Sequence, residues 1–467
     1  MSMYPASYEL NEQGHASLAG VDLVDLAQEY GTPLYVLDEA TMTQMAKAYQ
    51  ETLSDFYAGE SLVLYAAKAN LSMGLCQFVQ NQQLGLDVVS GGELFTAIAA
   101  GFSAANIFFN GNNKTPEELE LAFHHRVAQQ GRIIVDNFYE LDLLHRMALE
   151  RGQVASILLR ITPGIECHTH DYIKTGQTDS KFGFDISQLP EALKLITQNY
   201  SETLSLKGLH AHIGSQIFEF KPYEDLVEIL LNIYYNIRQQ YDGLTLTDIN
   251  IGGGMGVAYT KKDSPLDVRK TYEKVTKKLQ HYAEKLQFPL PRLLIEPGRS
   301  LVATAGMTLY TIGSSKKVPL GKRYVAIDGG MGDNIRPSLY QAEYCAFIAN
   351  RAPKPGRVFG GKTEAVTIAG KYCESGDILI KEVQLPKPQA GDILAVLGTG
   401  AYNYSMASNY NRIPRPATVI ITEGRAELLV KRETYTQLMQ NDVIPKHWVS
   451  EGQVTSVGAD SSGHRVQ

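Results

Sequence analysis

Residues 64–70 read Leu64-Tyr65-Ala66-Ala67-Lys68-Ala69-Asn70, and the fold turns on how that run is read. Val63, Leu64 and Tyr65 are β-formers, and two alanines follow before the lysine. As a strand it is a buried run that delivers one lysine at its C-terminal end. A lysine placed there has little water around it. Burial disfavours an ammonium ion, and the free amine is the nucleophilic form, able to condense with an aldehyde as a Schiff base. The plainer alternative is a lysine that has left the strand and reached solvent, and the run by itself favours it. The surroundings reverse that balance.

Outward from this run the same rhythm repeats. Short apolar runs at 62–67, 86–89, 107–109, 133–135, 157–161, 206–212, 249–251 and 293–295 alternate with stretches long enough for a helix, such as 39–53, 117–125 and 189–198. Strands alternating with helices imply parallel βαβ units. Eight units over about 240 residues match a (β/α)8 TIM-type barrel, for which ~250 residues is usual. A doubly wound open sheet is the alternative, because the strand runs are short. Upstream, 21–27 reads as a small helix stopped by Gly31-Thr32-Pro33. After Arg299 strand-like runs recur without long helices, at 308–312, 324–327, 364–368, 393–396 and 418–421, punctuated by glycine and proline. This reads as an all-β, β-barrel-like C-terminal domain with one helix-like piece at 403–409. The expected division is a barrel over 38–305, a β domain built from 1–37 and 306–450, and a disordered tail at 451–467.

Composition narrows the function. The chain has 467 residues, 44% hydrophobic and 20% charged, with a net charge of −7. That is an ordinary globular balance and argues against a nucleic-acid partner, which would call for a basic face. No apolar stretch approaches the ~20 residues that cross a bilayer. Residues 1–10 show no basic segment followed by an apolar run, so no signal peptide is expected. Cys76, Cys167, Cys345 and Cys373 are far apart and form no CxxC pair, which fits reduced thiols in the cytoplasm, or in a plastid stroma if the source is eukaryotic.

In a β/α barrel the site lies at the C-terminal strand ends. Those ends carry Lys68 and Asn70; Asp87, then Ser90-Gly91-Gly92-Glu93; Asn110; Asp136; Arg160; His210 and His212, then Gly214-Ser215; Gly252-Gly253-Gly254; and Glu296-Pro297-Gly298-Arg299. A lysine, histidines, a triple glycine, a glutamate and an arginine on separate strand ends form a site constellation. The triple glycine lets backbone approach a phosphate, or it is a plain strand-to-helix turn. It is neither a Walker A loop nor GxGxxG, since Val257 stands at the third glycine's place. His212 could stack on a ring, or pair with His210 as an HxH metal site; with no acidic residue nearby to complete a zincin-like set, no metal is expected. His168-Thr169-His170-Asp171 reads as a histidine-bearing loop. Glu296 could face a pyridine nitrogen and keep the ring protonated, or form a salt bridge with Arg299.

Many blocks, in order from about residue 18 to about 445, resemble the diaminopimelate decarboxylases, pyridoxal-phosphate enzymes of the alanine-racemase-like fold. They are Tyr65-Ala66-Ala67-Lys68-Ala69-Asn70; Gly85-Leu86-Asp87-Val88-Val89-Ser90-Gly91-Gly92-Glu93; Asp179-Ser180-Lys181-Phe182-Gly183; Gly208-Leu209-His210-Ala211-His212-Ile213-Gly214-Ser215-Gln216; Ile251-Gly252-Gly253-Gly254; and Glu296-Pro297-Gly298-Arg299. The second domain adds Asp328-Gly329-Gly330, Arg336-Pro337-Ser338-Leu339-Tyr340, Cys373-Glu374-Ser375-Gly376-Asp377 and Gly400-Ala401-Tyr402. The resemblance implies decarboxylation of meso-2,6-diaminopimelate to L-lysine and CO2 through an imine with pyridoxal 5′-phosphate, the last step of lysine biosynthesis. It implies that Lys68 holds the cofactor, that His212 stacks on its ring, and that Asp87, Arg160 and Ser215 line it. Gly252, Gly253 and Gly254 and the turn Glu296, Pro297, Gly298, Arg299 match the phosphate and pyridine contacts. Arg299, Arg336, Tyr340 and Glu374 match substrate contacts, Cys373 the acid that protonates the product, and Tyr402 a residue near both phosphate and substrate. It further implies a homodimer with shared sites, Cys373 and Glu374 coming from the partner chain.

The chemistry agrees with these residues, since arginines suit a carboxylate on the substrate's far end. The alternatives are another decarboxylase of this fold acting on ornithine, arginine or D-lysine, a racemase, and a single-barrel cofactor carrier without the second domain. Two features depart from the pattern: Glu343-Tyr344, where an aromatic residue and a histidine are expected, and the stretch 346–362 with Arg351, Lys354 and Arg357 clustered.

Overall fold

The computed structural model describes residues 3–165, 180–241, 243–319, 321–354 and 362–448. The loop with His168 and His170, the proposed tail at 451–467, and Cys167 fall outside them.

Eight parallel strands close into a ring: Ser61–Ala66, Gly85–Val88, Ile107–Phe109, Arg132–Val135, Ala155–Thr162, Leu204–His210, Asp248–Asn250 and Arg292–Ile295. Each pairs with the next and the eighth pairs with the first, Leu294 opposite Leu62, which removes the open-sheet alternative. Between strands the chain turns into helices through side-chain caps. Asp38, Ser72, Ser90, Asn137 and Asp267 each accept a backbone N–H in the first turn of the helix that follows, and Thr115 with Glu118 forms a capping box. Each such cap contributes ~1 kcal/mol and fixes where the helix starts. Ser90-Gly91-Gly92-Glu93 is explained in this way: Ser90 caps Glu93 N–H, and the Glu93 carboxylate reaches back to Val89 N–H.

Inside the ring, Leu64, Phe108, Ile134, Leu158 and Leu294 form a closed cluster of fully buried side chains. They come from five strands and fill the barrel as a packed layer. Side chains two apart share a face of a strand. Two residues on from four of these apolar positions therefore come Asn110, Asp136, Arg160 and Glu296, all buried and all at the C-terminal end of the barrel. The polar ring of the site is stacked directly on the apolar floor.

The second sheet gathers Gly306–Lys317, Arg323–Ile327, Thr363–Ala369, Ile393–Leu397 and Ala417–Thr422 as expected, together with Ala346–Ile348, Ile378–Pro386 and Arg425–Val430. Leu34–Asp38 joins it rather than the barrel, antiparallel to Gly306–Lys317 and parallel to Ala417–Thr422. The piece at 403–409 is not one helix. It holds a single 3-10 turn at Tyr404–Met406, and a second follows at Tyr410–Arg412, with Asn411 and Arg412 at positive φ, which no longer helix could accommodate. The first helix starts at Leu23, since Asp22 is its cap, and runs to Tyr30.

Candidate active site

Glu296 lies just beyond the last barrel strand, 7% exposed. Its carboxylate accepts from Asn250 Nδ2 at 2.7 Å, meets His210 Nε2 at 3.2 Å and takes a longer contact from Asn110 Nδ2 at 3.5 Å. Arg299 is not its partner: that guanidinium donates to Ser215 Oγ and to Tyr259 Oη. The salt-bridge alternative is thereby set aside. Burial works against the Glu296 anion, but His210, through charge and hydrogen bond, and the charge of Lys68 outweigh it and bring the carboxyl down to about 2. Asp87, equally buried and facing the charge of Glu296, is pushed well above the usual carboxylate range, even with Asn110 donating to it at 2.5 Å. Two carboxyls in one chamber are thus driven apart, one held as the anion and one favouring its proton.

Lys68 does not sit on the strand. A 3-10 turn, Ala67–Ala69, carries it past the strand end, and the side chain is exposed rather than desolvated as expected. The strand-end geometry delivers the lysine to a cavity, and the turn projects it into the open space there. The second domain clasps this turn. Tyr402 N–H donates to Ala69 O at 2.7 Å, Ser405 Oγ donates to the same oxygen at 3.1 Å, and Asn70 Nδ2 donates to Gly400 O at 3.0 Å. Tyr402 is held at φ +64°, a conformation unfavourable for a non-glycine residue and frequent at functional sites.

Gly252-Gly253-Gly254 follows the seventh barrel strand. A Cβ on Gly253 would stand 2.0 Å from Glu296 O, and one on Gly254 2.3 Å from Gly214 O. Three strand-end loops therefore touch backbone to backbone, and only glycine fits between them. Gly253 N–H donates to His212 Nδ1 at 3.2 Å. Burial, with the charges of Lys68 and Arg160, holds the His212 imidazole well below its usual value, so its flat ring is neutral. Arg160 lies 3.8 Å from Asp136 Oδ1 and over the Phe182 ring at 4.3 Å. Among the described residues no group of three or more His, Cys, Asp or Glu side chains is arranged to hold a metal.

A cavity of about 790 Å³ opens above this ring. Of the residues singled out in the sequence, Lys68, His212, Ser215, Gly254, Glu296, Gly298, Arg299, Arg336, Tyr340 and Tyr402 line it. Asp87, Arg160, Gly252, Gly253 and Pro297 lie behind that wall, while Cys373 and Glu374 are exposed on the second domain and do not line the cavity of their own chain. Asn250 and Tyr259 were not singled out, Asn110 was named at a strand end without a role, and Tyr344 only as a departure from the family pattern. Asn110 and Asn250 could have been found as amides within or just beyond otherwise apolar strands. Tyr259, five residues past the triple glycine, offers no signal in the sequence. Glu343, the first of the two departures, is an exposed rim residue paired with Lys262 at 3.2 Å.

A pyridoxal-dependent decarboxylase family, by its pyridoxal binding domain, matches residues 39–303. The chain is 49% identical to the diaminopimelate decarboxylase of Bacillus subtilis over 93% of this chain and 96% of that one. It is 45% identical to the diaminopimelate decarboxylase of Synechocystis, over 96% and 94%. The chain belongs to the diaminopimelate decarboxylases. The crystal structure of the M. jannaschii diaminopimelate decarboxylase in co-complex with L-lysine superimposes with a TM-score of 0.87, at 32% identity, covering 96% of this chain and all of that one. Membership makes the protein a pyridoxal-phosphate-dependent carboxy-lyase. The residues present fit that cofactor: an amine on a turn, a glycine cradle, a neutral imidazole, and a buried carboxylate held ionised where a pyridine nitrogen would need an anion. Buried Asn110 Oδ1 and His210 Nδ1, beside Glu296, lack partners among the described residues.

Proposed function

We propose that this decarboxylase converts meso-2,6-diaminopimelate to L-lysine and CO2, the closing step of lysine biosynthesis, with the residues below in the roles given. The observation that carries the reading is the pair of buried arginines, Arg299 and Arg336, across one cavity from Lys68 and Glu296. An amino acid whose far end carries a carboxylate needs that pair, whereas ornithine-type substrates do not. Relatives at high identity, all named diaminopimelate decarboxylases, speak for it over an ornithine, arginine or D-lysine decarboxylase.

Pyridoxal phosphate, when bound, supplies an aldehyde to hold the substrate amine and a ring to take up the electron pair released as CO2 leaves. Lys68 would hold the cofactor through its side-chain amine. Glu296, kept anionic by Asn250 and His210, balances a protonated ring nitrogen. His212, neutral and flat, packs on the ring. Gly254, Gly298 and Arg299 would offer backbone N–H groups, Gly252 and Gly253 with Pro297 shape the turn around them, their own N–H groups going to Asn250 and His212, and Asp87, Arg160 and Ser215 complete the surround. Arg299, Arg336, Tyr340 and Tyr402 hold the intact amino-acid end. Cys373 Sγ delivers a proton to the carbon that lost CO2, and Glu374 receives the far ammonium group. Their exposure, and their absence from the cavity wall of their own chain, support a homodimer in which both come from the partner. The barrel at 38–305 carries the cofactor groups, and the β domain, 1–37 with 306–450, carries the rest. A cytoplasmic location agrees with the three cysteines among the described residues, Cys76, Cys345 and Cys373, all being free thiols. Among the described residues no helix is long and apolar enough to cross a membrane.

The test is turnover of meso-diaminopimelate beside ornithine, arginine and D-lysine by the purified holoenzyme. Preference for diaminopimelate is expected. Preference for any of the other three overturns the substrate.

A further inference from the structure

Arg336 and Arg299 are 6% and 7% exposed, yet among the described residues neither guanidinium has a carboxylate partner. Burying a cation without an anion costs several kcal/mol. Tyrosine and serine hydroxyls hold them instead. Arg336 Nη1 donates to Tyr344 Oη, and its guanidinium lies over the Tyr259 ring at 4.8 Å and the Tyr344 ring at 5.6 Å. Arg299 Nη1 donates to Tyr259 Oη at 2.7 Å and Nη2 to Ser215 Oγ at 3.0 Å. The two tyrosine rings lock edge to face, centroids 5.4 Å apart at 77°. A phenol fixes the plane of a guanidinium through one N–H and a ring face, leaving its charge uncancelled and other N–H groups free to bond. A glutamate in Tyr344's place would neutralise Arg336 and close the wall to anions. Burial keeps the Tyr344 hydroxyl above the usual tyrosine value, so it stays a neutral partner.

We propose that Tyr344, braced by Tyr259, is a positioning residue that orients Arg336 for the carboxylate on the substrate's far end, and so sets the preference for substrates that carry one. The proposal rests on the substrate reading above. It also assigns a task to the tyrosine that departs from the expected histidine. A histidine there would repel Arg336 when protonated. The tyrosine hydroxyl cannot take up a positive charge in this way.

Tyr344→Phe keeps the ring contacts and removes only the hydroxyl. The holoenzyme is titrated with L-lysine, which retains an intact amino-acid end, and with 1,5-diaminopentane, the same chain without a carboxylate. The expected result is an L-lysine dissociation constant raised about 10-fold, with that of the diamine changed by less than about two-fold. The KM for diaminopimelate should rise with the former while kcat stays within about three-fold. Equal changes for both ligands mean a purely structural role and overturn the proposal, as does no change for either. A wild-type enzyme that turns over diaminopimelate separates these failures from failure of the substrate reading, in which the wild type itself does not prefer it. Should Tyr344→Phe not accumulate as holoenzyme, Tyr259→Phe carries the same comparison through Arg299 and the ring brace, with the same expected and overturning results.

Discussion

Glu296 is ionised because its neighbours make it so. A carboxyl this deep in the barrel would keep its proton if burial alone decided, and Asp87 a few residues away in space shows that outcome. The difference lies in the neighbours: His210 and Lys68 favour the Glu296 anion, whereas Asp87 faces that anion and has one amide donor. Glu296→Gln removes the negative charge but keeps the size, so cofactor should remain bound. kcat at saturating cofactor should fall by on the order of 100-fold or more, since the ring nitrogen loses its anion. Because the carboxyl sits at about 2, its protonation should leave no mark on the pH–rate profile between pH 5 and 9. Lys68→Ala should abolish both turnover and the visible absorbance of bound cofactor, read on the purified protein. Retention of either would remove Lys68 from its role.

At the scale of elements, the segment from Asp328 to Asn334 is tied to the loop that bears Cys373 by buried carboxyls. Asp377 accepts from Met331 N–H at 2.7 Å and Tyr372 N–H at 2.9 Å, and Asp333 accepts from Gly330 N–H at 2.8 Å and from the Tyr310 hydroxyl. Burial raises both carboxyls, and Asp333 is pushed from 3.8 up to about 7. A raised carboxyl binds its proton more tightly when folded than when unfolded. Between pH 3.8 and about 7 the unfolded chain therefore binds fewer protons, and stability falls as pH rises through that window. Asp333→Asn mimics the protonated acid, its amide able to donate to Tyr310 and its oxygen to accept from Gly330. The drop in Tm from pH 5 to pH 8 should shrink by on the order of 5 °C in the variant. An unchanged drop would show that Asp333 does not hold its proton.

On the scale of the whole molecule, the proposed dimer makes a prediction that no single chain can make. If Lys68 of one subunit works with Cys373 of the partner subunit, a dimer of Lys68→Ala with Cys373→Ala contains one site with both groups intact. Refolded mixtures of the two inactive chains should recover part of the wild-type rate, with mixed dimers verified by tagged subunits. Mixed dimers as inactive as either parent would place Cys373 and Lys68 in one chain or remove Cys373 from the chemistry.

Much of this was legible in the chain because it is local. Eight apolar runs separated by capped helices announce a barrel, since period-two and period-3.6 patterns are written residue by residue. The same periodicity places Asn110, Asp136, Arg160 and Glu296 above the apolar floor, two residues on from Phe108, Ile134, Leu158 and Leu294. The family motifs point to Lys68, His212 and the triple glycine for the same reason. Other features depend on residues far apart in the chain, which only packing brings together. The Leu34–Asp38 strand pairs with partners some 270 and 380 residues away, by nothing its own five residues specify. The helix-like piece at 403–409 is cut to a single turn because Tyr402 N–H and Ser405 Oγ are drawn to Ala69. Lys68 is open because a turn after the strand carries it outward. Tyr259 and Tyr344 meet Arg299 and Arg336 across three separate segments of chain. Hydrophobic pattern dictates which face of an element is buried; which polar groups then meet is decided by the tertiary structure, because hydrogen bonds and charge pairs act over a few ångströms in space whatever the distance along the sequence.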